Sequence, residues 1–277
     1  MASIQESRIN EILNEQIERL NGLAENKQLI EQYSNYLEDN SPKSILEIDR
    51  IMFDILYSDD NFDQISLYSL DGQVVTSISK TDEDELLSDS NPYVLDGNRH
   101  ILIDGHENES HIHLSGPILI DGVLVGGISI LADFEDLSQV VTDYTGMGKT
   151  GETFLAKKDS NGDALFIAPL RFDSEASFSR VIPKDQVEVP ITRALLEQEI
   201  KMEDATDYRG EKVLAVTKYI DNTGWGLVSK IDKSEVYTSF YEANIIQLGL
   251  MIVLVGVMTS ISLVISDRIL KPIIQLK

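Results

Sequence analysis

The sequence contains no cysteine. That excludes a disulfide framework, a thiolate-ligated zinc and a cysteine nucleophile, and it suits an oxidising compartment outside the cytoplasm. Positive charge is scarce too: 23 Lys and Arg stand against 47 Asp and Glu, a net charge of −24. Such a chain repels phosphate, which excludes nucleic acid as a partner and argues against docking on anionic lipid. Neither a G-x-S-x-G elbow nor an H-E-x-x-H helix is present, and acid pairs carry little meaning among so many carboxylates. The N-terminus has no apolar run that would serve as a signal peptide.

One stretch lacks charge altogether. Ile245 to Ile265, "IIQLGLMIVLVGVMTSISLVI", runs 21 residues without an ionisable side chain. At ~1.5 Å per residue it spans roughly 30 Å of hydrocarbon, enough for a transmembrane helix. Tyr237, Phe240 and Tyr241 precede it as an interfacial aromatic belt. Arg268, Lys271 and Lys277 follow it against the single acid Asp267, whereas the region before it is strongly acidic. Positive flanks stay in the cytoplasm, so residues 1–244 are expected outside and the C-terminus inside. An outside domain without a leader leads us to expect a first transmembrane helix upstream of residue 1.

What is there amounts to 277 residues, 42% of them hydrophobic, enough for one large domain or two small ones with real cores. Residues 4–38 carry a helical stripe of Ile9, Ile12, Leu13, Ile17, Leu20, Leu23, Ile30, Tyr33 and Leu37. As one continuous helix it would be about 50 Å long. Asn40-Ser41-Pro42 ends it, and Ser44 to Leu56 reads as a second helix. Alternation then takes over. "FDQISLYSLDGQVVTSIS" and "HIHLSGPILI"-Asp121-Gly122-"VLVGGISILA" read as hairpins about Asp-Gly turns. "GETFLAKKDSNGDALFIA" and "KVLAVTKYIDNTGWGLVSKID" repeat the strand–turn–strand plan. Gly127, Asp133 and Leu137 are echoed at identical spacings by Gly226, Asp232 and Val236. In both places a β-run ends at an aspartate suited to cap a helix. This predicts two copies of one α+β module.

"YTGMGKTGET", residues 144–153, imitates a phosphate loop, with G-x-G-x-x-G spacing and a Gly-Lys-Thr tail. A Walker A loop needs a glycine where Asp143 stands. A dinucleotide fingerprint runs from strand to helix, whereas here a helical "FEDLSQVVTDY" precedes and a strand-like "ETFLAKK" follows. The glycines are better read as ending a helix and turning the chain into a strand.

"GMGKTGETFLAKKDSNGDALFIAPLRFD" followed by "DYRGEKVLAVTKYIDNTGWGLVSKIDKSEVY" resembles the membrane-proximal half of double Cache sensor domains, which occur in bacterial and archaeal sensor histidine kinases. "SDRILKPIIQL", with Pro272, is similar to the opening of a HAMP linker. The resemblance implies an α+β fold in which a long N-terminal helix packs along two PAS-like antiparallel-sheet modules, followed by one transmembrane helix. The expected divisions are a stalk helix over 1–43, a membrane-distal module over 44–132 and a membrane-proximal module over 133–231. A helical stalk over 232–244, the span at 245–265 and a HAMP-like start at 266–277 complete the chain. The implied partners are a small organic ligand, the membrane and a second copy in a homodimer. A histidine kinase output is expected, with chemoreceptor or diguanylate cyclase outputs as alternatives. A membrane-tethered enzyme or an adhesive ectodomain is the rival of another class.

The family's distal module usually holds the ligand, and Tyr93, Arg99, His111 and His113 fall there by position. Arg99 could grip a carboxylate with its two-pronged fork. His111 and His113 share one face of a strand and could instead ligate a metal with Asp104 or Glu109. Ordinary edge or turn histidines are the simpler reading, so neither a metal nor a cofactor is assigned. Arg99 is followed by His100-Ile101-Leu102, where the amino-acid-binding branch has an Arg-x-Trp-Tyr run. Gly127 stands where that branch has an aspartate, which puts amine recognition by that route in doubt. Arg171, Asp173 and Tyr208 are weaker candidates in the proximal module. No residue is assigned a catalytic role.

Overall fold

The apolar stripe near the N-terminus folds as two helices, not one. The computed structural model describes residues 1–80, 98–106 and 109–265; within it, α1 covers Ala2–Ala24 and α2 covers Lys27–Asp39. The Asn26 side chain accepts N–H bonds from Gln28 and Leu29 at 3.0 and 3.1 Å, and this cap starts a new helix. The expected continuous 50 Å rod is thereby corrected. α1 alone, at roughly 35 Å, still reaches strands of both sheets described below. Asn40 ends α2 in the left-handed region at φ 50°, Ser41 caps Lys43, and Pro42 opens α3, Pro42–Leu56.

Five strands follow: β1 (Phe62–Ser69), β2 (Val74–Ser79), β3 (His100–His106), β4 (Glu109–Ile120) and β5 (Val123–Asp133). They form an antiparallel sheet in the order β2-β1-β5-β4-β3. Asp121 and Gly122, at φ 51° and 78°, make the tight β4–β5 turn that their dipeptide predicts. The chain then enters α4 (Glu135–Thr142), with the Asp133 carboxylate accepting the Glu135 N–H at 2.7 Å.

The second sheet repeats the plan. β6 (Glu152–Lys158), β7 (Ala164–Phe166), β8 (Val181–Ile182), β9 (Lys201–Thr206), β10 (Lys212–Ile220) and β11 (Trp225–Asp232) are ordered β8-β7-β6-β11-β10-β9. A short helix, α5 (Pro190–Leu195), covers one face. β5 and β11 hold corresponding places, and each ends at the aspartate of the sequence echo. Asp232 differs from Asp133 in that Lys230 and Arg209 engage its carboxylate. From β11 the chain passes directly into α6, Lys233–Ile265. Its segment Ile246–Leu263 is long and apolar enough to cross a membrane, and none of it is buried against the protein.

Burial decides what each sheet face can do. Ile65, Leu67, Ile103, Ile112, Leu114, Ile118, Ile128 and Ile130 point toward the helices and pack with Ile9, Leu13, Leu20, Tyr33, Ile48 and Met52. The same cluster runs on through Leu155, Trp225 and Leu227, so α1 shares one core with both sheets. Gly126 lets β5 approach α2: a Cβ there would stand 2.4 Å from the Tyr68 carbonyl and 2.5 Å from the Tyr33 hydroxyl. That hydroxyl donates to the carbonyl oxygens of Val125 and Tyr68, 3.2 and 3.3 Å away.

Candidate functional site

Alternation along a strand sends every second side chain to the face away from the helices. In the first sheet that face is polar, and the register lines it up. Ser77 pairs with Ser66, Ser66 with Ser129, Ser129 with Ser115, and Ser115 with His100. A single row of four serines and a histidine therefore crosses all five strands. The next row carries Ser79, Gln64, Leu131, His113 and Leu102. On the other side of the serines, Tyr68 pairs with Gly127 and Gly127 with Pro117.

These groups are buried although they are polar. Ser66, Ser129 and Tyr68 have no exposed surface, and Ser115 and Gln64 are nearly as covered. Buried hydroxyls need partners. Ser66 and Ser77 hydrogen-bond to each other at 2.8 Å, and Gln64 Nε2 donates to Ser77 Oγ at 2.7 Å. Ser129 Oγ lies 3.5 Å from the Tyr68 hydroxyl, a long contact. The Gln64 Oε1 acceptor has no partner among the described residues, although it is out of solvent. A buried acceptor left open costs about 1–3 kcal/mol, and a solute carrying a donor would recover it.

The expected residues distribute unevenly around this face. His113 lies in the second row, and His111 lies one row further along, paired by register with Asp133 and Asp104, with Nδ1 3.5 Å from Asp63 Oδ2. Tyr93 lies outside the described residues. Arg99 precedes β3 and is exposed, and its γ carbon lies 3.7 Å from the place a Gly116 Cβ would take, beside Leu20. Gly116 alternates with Ser115, so the Arg99 stem runs toward the helix side and does not join the histidines. Among the described residues no group of three His, Asp or Glu is placed to hold a metal. Sequence reasoning missed Gln64 and the serines. Each is an ordinary strand residue alone, and only register across four strands makes them a row.

The equivalent face of the second sheet is filled. Phe154, Ala156, Phe166, Val213, Ala215 and Val228 pack there under Ile191 and Leu195 of α5. Phe154, Phe166 and Tyr208 meet edge to face with centroids 5.4–5.9 Å apart. Beside them lies a buried ionic network: Lys230 Nζ reaches Glu152 and Asp207 at 2.9 Å each and Asp232 at 3.4 Å. Arg209 bridges Asp207 and Asp232. Burial alone would raise the Asp207 carboxyl, but hydrogen bonds from Lys230 and Arg209 hold it below its ordinary value. The Tyr208 hydroxyl donates to Glu152 at 2.8 Å, and burial, then the Glu152 charge, pushes its ionisation far up. Asp173 pairs with Arg180 at 2.5 Å. Arg171 donates to the carbonyls of Gly151 and Gly148 and stacks 4.6 Å over Tyr144. All three proximal candidates are thus engaged within the protein.

The glycine loop completes the picture. Gly146 and Gly148 take φ of 76° and 69°, conformations that leave successive N–H groups pointing one way. The anion they hold comes from the chain itself. Glu235, in the first turn of α6, accepts from the Lys149 and Thr150 N–H groups at 2.8 Å each and from the Thr150 hydroxyl at 2.5 Å. No signal in the sequence connected residues so far apart.

A two-sheet chain with a shared N-terminal helix and a C-terminal apolar helix has known counterparts. A family model described as Cache domain matches residues 1–240. The chain belongs to the Cache domain family. Cache domains are extracytoplasmic sensors of membrane receptors, and the apolar helix at the C-terminal end is consistent with an anchor. No curated protein matches the sequence. Among solved structures, the extracellular domain assigned to histidine kinase vpHK1S-Z8 superposes with a TM-score of 0.57 at 16% identity, over 84% of this chain and 90% of that one. The ligand-binding domain of the Pseudomonas aeruginosa chemoreceptor PctC, solved with GABA, gives 0.57 at 17%, over 83% and 96%. The sensory domain of the Campylobacter jejuni chemoreceptor Tlp3 gives 0.55 at 14%, over 84% and 91%. At such identities the likeness is one of Cache fold.

Proposed function

We propose that this Cache chain is the ligand-sensing region of a transmembrane receptor, and that its ligand is a small polar solute held on the serine face of the first sheet. The observation that carries the reading is the contrast between the two modules. The first sheet presents Ser66, Ser77, Ser115, Ser129 and His113 around a Gln64 acceptor that has no partner among the described residues. The second sheet has filled the same face with its own aromatics and ion network. A pocket orients a solute through a few convergent polar groups, and of the two faces, among the described residues, the first offers them. Hydroxyl, amide and imidazole groups suit a solute rich in hydroxyl or N–H donors. Amino acids belong in the first screen because PctC was solved with GABA.

In this reading residues 1–244 face outward, α6 crosses the membrane, and the basic tail leads through a HAMP-like linker into a histidine kinase output, the chain working as a homodimer. A chemoreceptor output would use the same sensor. The tail that carries the HAMP resemblance, 266–277, lies outside the described residues. Thermal unfolding of the chain in nanodiscs, screened against amino acids, organic acids, polyols and sugars, tests the site. A solute at a hundred times its Kd should add roughly 2.7 kcal/mol of stability. That gain should vanish in Ser129→Val and Gln64→Leu and persist in Tyr208→Phe. Loss in Tyr208→Phe alone would place the ligand in the second module and overturn the assignment.

A further inference from the structure

The glycine loop, 144–151, stands between the first sheet's last helix and the apolar helix. On one side it continues from α4, which continues from β5, the strand that carries Ser129 and Leu131 on the serine face. On the other side it touches α6, the helix that enters the membrane. The touch is specific. One carboxylate oxygen of Glu235 takes the Lys149 N–H, and the other takes both the N–H and the hydroxyl of Thr150. Thr150 Oγ1 accepts in turn from the N–H of Asp232, the last residue of β11, at 3.1 Å. Gly148 makes room, because a Cβ there would fall within 2.4 Å of Glu235 Oε1. Arg171 ties the loop's opposite edge through the Gly148 and Gly151 carbonyls, at 3.1 and 2.5 Å. Its own N–H donates to Glu152 of the buried network at 2.9 Å. The loop's N–H groups and its carbonyls thus face different anchors.

We propose that the Glu235 carboxylate seated on the Lys149 and Thr150 N–H groups is the joint that couples the glycine loop to the membrane helix. Two backbone N–H groups and a hydroxyl converging on one carboxylate resist both translation and rotation of the first turn of α6. Charge-assisted bonds of this kind are about twice as strong as neutral ones. A displacement of α4 moves the loop, and the loop carries Glu235 with it. Because Glu235 lies in the first turn of α6, the motion enters the span at its outer end. Coupling through such a joint requires an element that both sides engage, and the loop meets that requirement. The joint stands whatever solute binds and wherever it binds, so it does not rest on the serine face.

The absence of cysteine supplies the test. A single cysteine at exposed Tyr237, spin-labelled in the 277-residue chain in nanodiscs, reports motion at the start of α6. Amide exchange at Lys149 and Thr150 reports the loop. Glu235→Ala should speed exchange at both amides by about tenfold or more, while β10 and β11 keep their protection. Thr150→Val and Gly148→Ala, both on the loop side, should mobilise the label on the helix. Added to Glu235→Ala, Thr150→Val should mobilise it no further. Unchanged exchange in Glu235→Ala, or a label indifferent to both loop variants, would overturn the joint. Should Glu235→Ala loosen the whole second sheet, Thr150→Val decides the matter through the label, since Glu235 is then intact.

Discussion

A serine hydroxyl both donates and accepts, so Ser66 and Ser77 can reverse the bond between them to suit a guest without moving the backbone. Ser129 sits mid-row between Ser66 and Ser115, with Tyr68 as its hydroxyl neighbour. Valine matches its shape closely while removing the polar atom. We expect Ser129→Val to abolish solute-induced stabilisation while the solute-free melting temperature stays within a few degrees. Arg99→Ala should leave that stabilisation in place, because the Arg99 stem lies toward Leu20 on the other side of the sheet. Isothermal calorimetry on both variants checks the pair, and loss of binding in Arg99→Ala would return the arginine to the site. Lys149 presents a contrasting case. Its N–H is used by Glu235, but no phosphate needs its ammonium, so Lys149→Ala should melt within about 0.5 kcal/mol of the parent chain. Measurable ATP binding lost in that variant would contradict it.

At the scale of elements, local chemistry was legible and distant geometry was not. Asp71-Gly72, Asp121-Gly122 and Asn161-Gly162 foretold hairpins because a turn depends on two adjacent residues, and each glycine takes positive φ. The helix break at Glu25-Asn26 was hidden because the apolar stripe runs across it. Leu23, Leu29 and Tyr33 all reach the same core, and only the Asn26 cap marks the interruption. His111 and His113 could be read as sharing a face from their spacing, whereas the serine row needed inter-strand register. The flanks of the glycine loop were legible, a helix before it and a strand after it, yet its carboxylate guest lies on another element. That guest has a pH signature. The Lys149 N–H foremost, then the Thr150 hydroxyl, hold the Glu235 carboxyl below its ordinary value. A depressed carboxyl stabilises the fold above its unfolded pKa of about 4.3 and loses that contribution as pH falls through the lower folded value. The label at position 237 should therefore keep its order from neutral pH down through the ordinary glutamate range and gain mobility only below it. Release near neutrality would show that the ionised carboxylate is not what holds the helix.

Across the whole molecule, charge and hydrophobicity decide orientation. The chain carries a net −24, while its tail beyond the apolar helix holds Arg268, Lys271 and Lys277 against Asp267. Lys and Arg near a span resist translocation far more than acids do, so the proposed topology has the acidic Cache region outside and the tail inside. The second sheet delivers α6 straight from β11, so the Glu235 contact with the glycine loop sits where the apolar helix leaves the sheet. The cysteine-free background makes orientation measurable one position at a time. Leu46 on α3 is 68% exposed and lies far along the chain from the span, so Leu46→Cys reports the sensor side. Lys277→Cys reports the tail. In intact cells a membrane-impermeant maleimide should label Leu46→Cys at once and Lys277→Cys only after the membrane is permeabilised. Labelling in the opposite order would put the serine face in the cytoplasm, where an external solute could not reach it, and the sensor reading would fall with the topology.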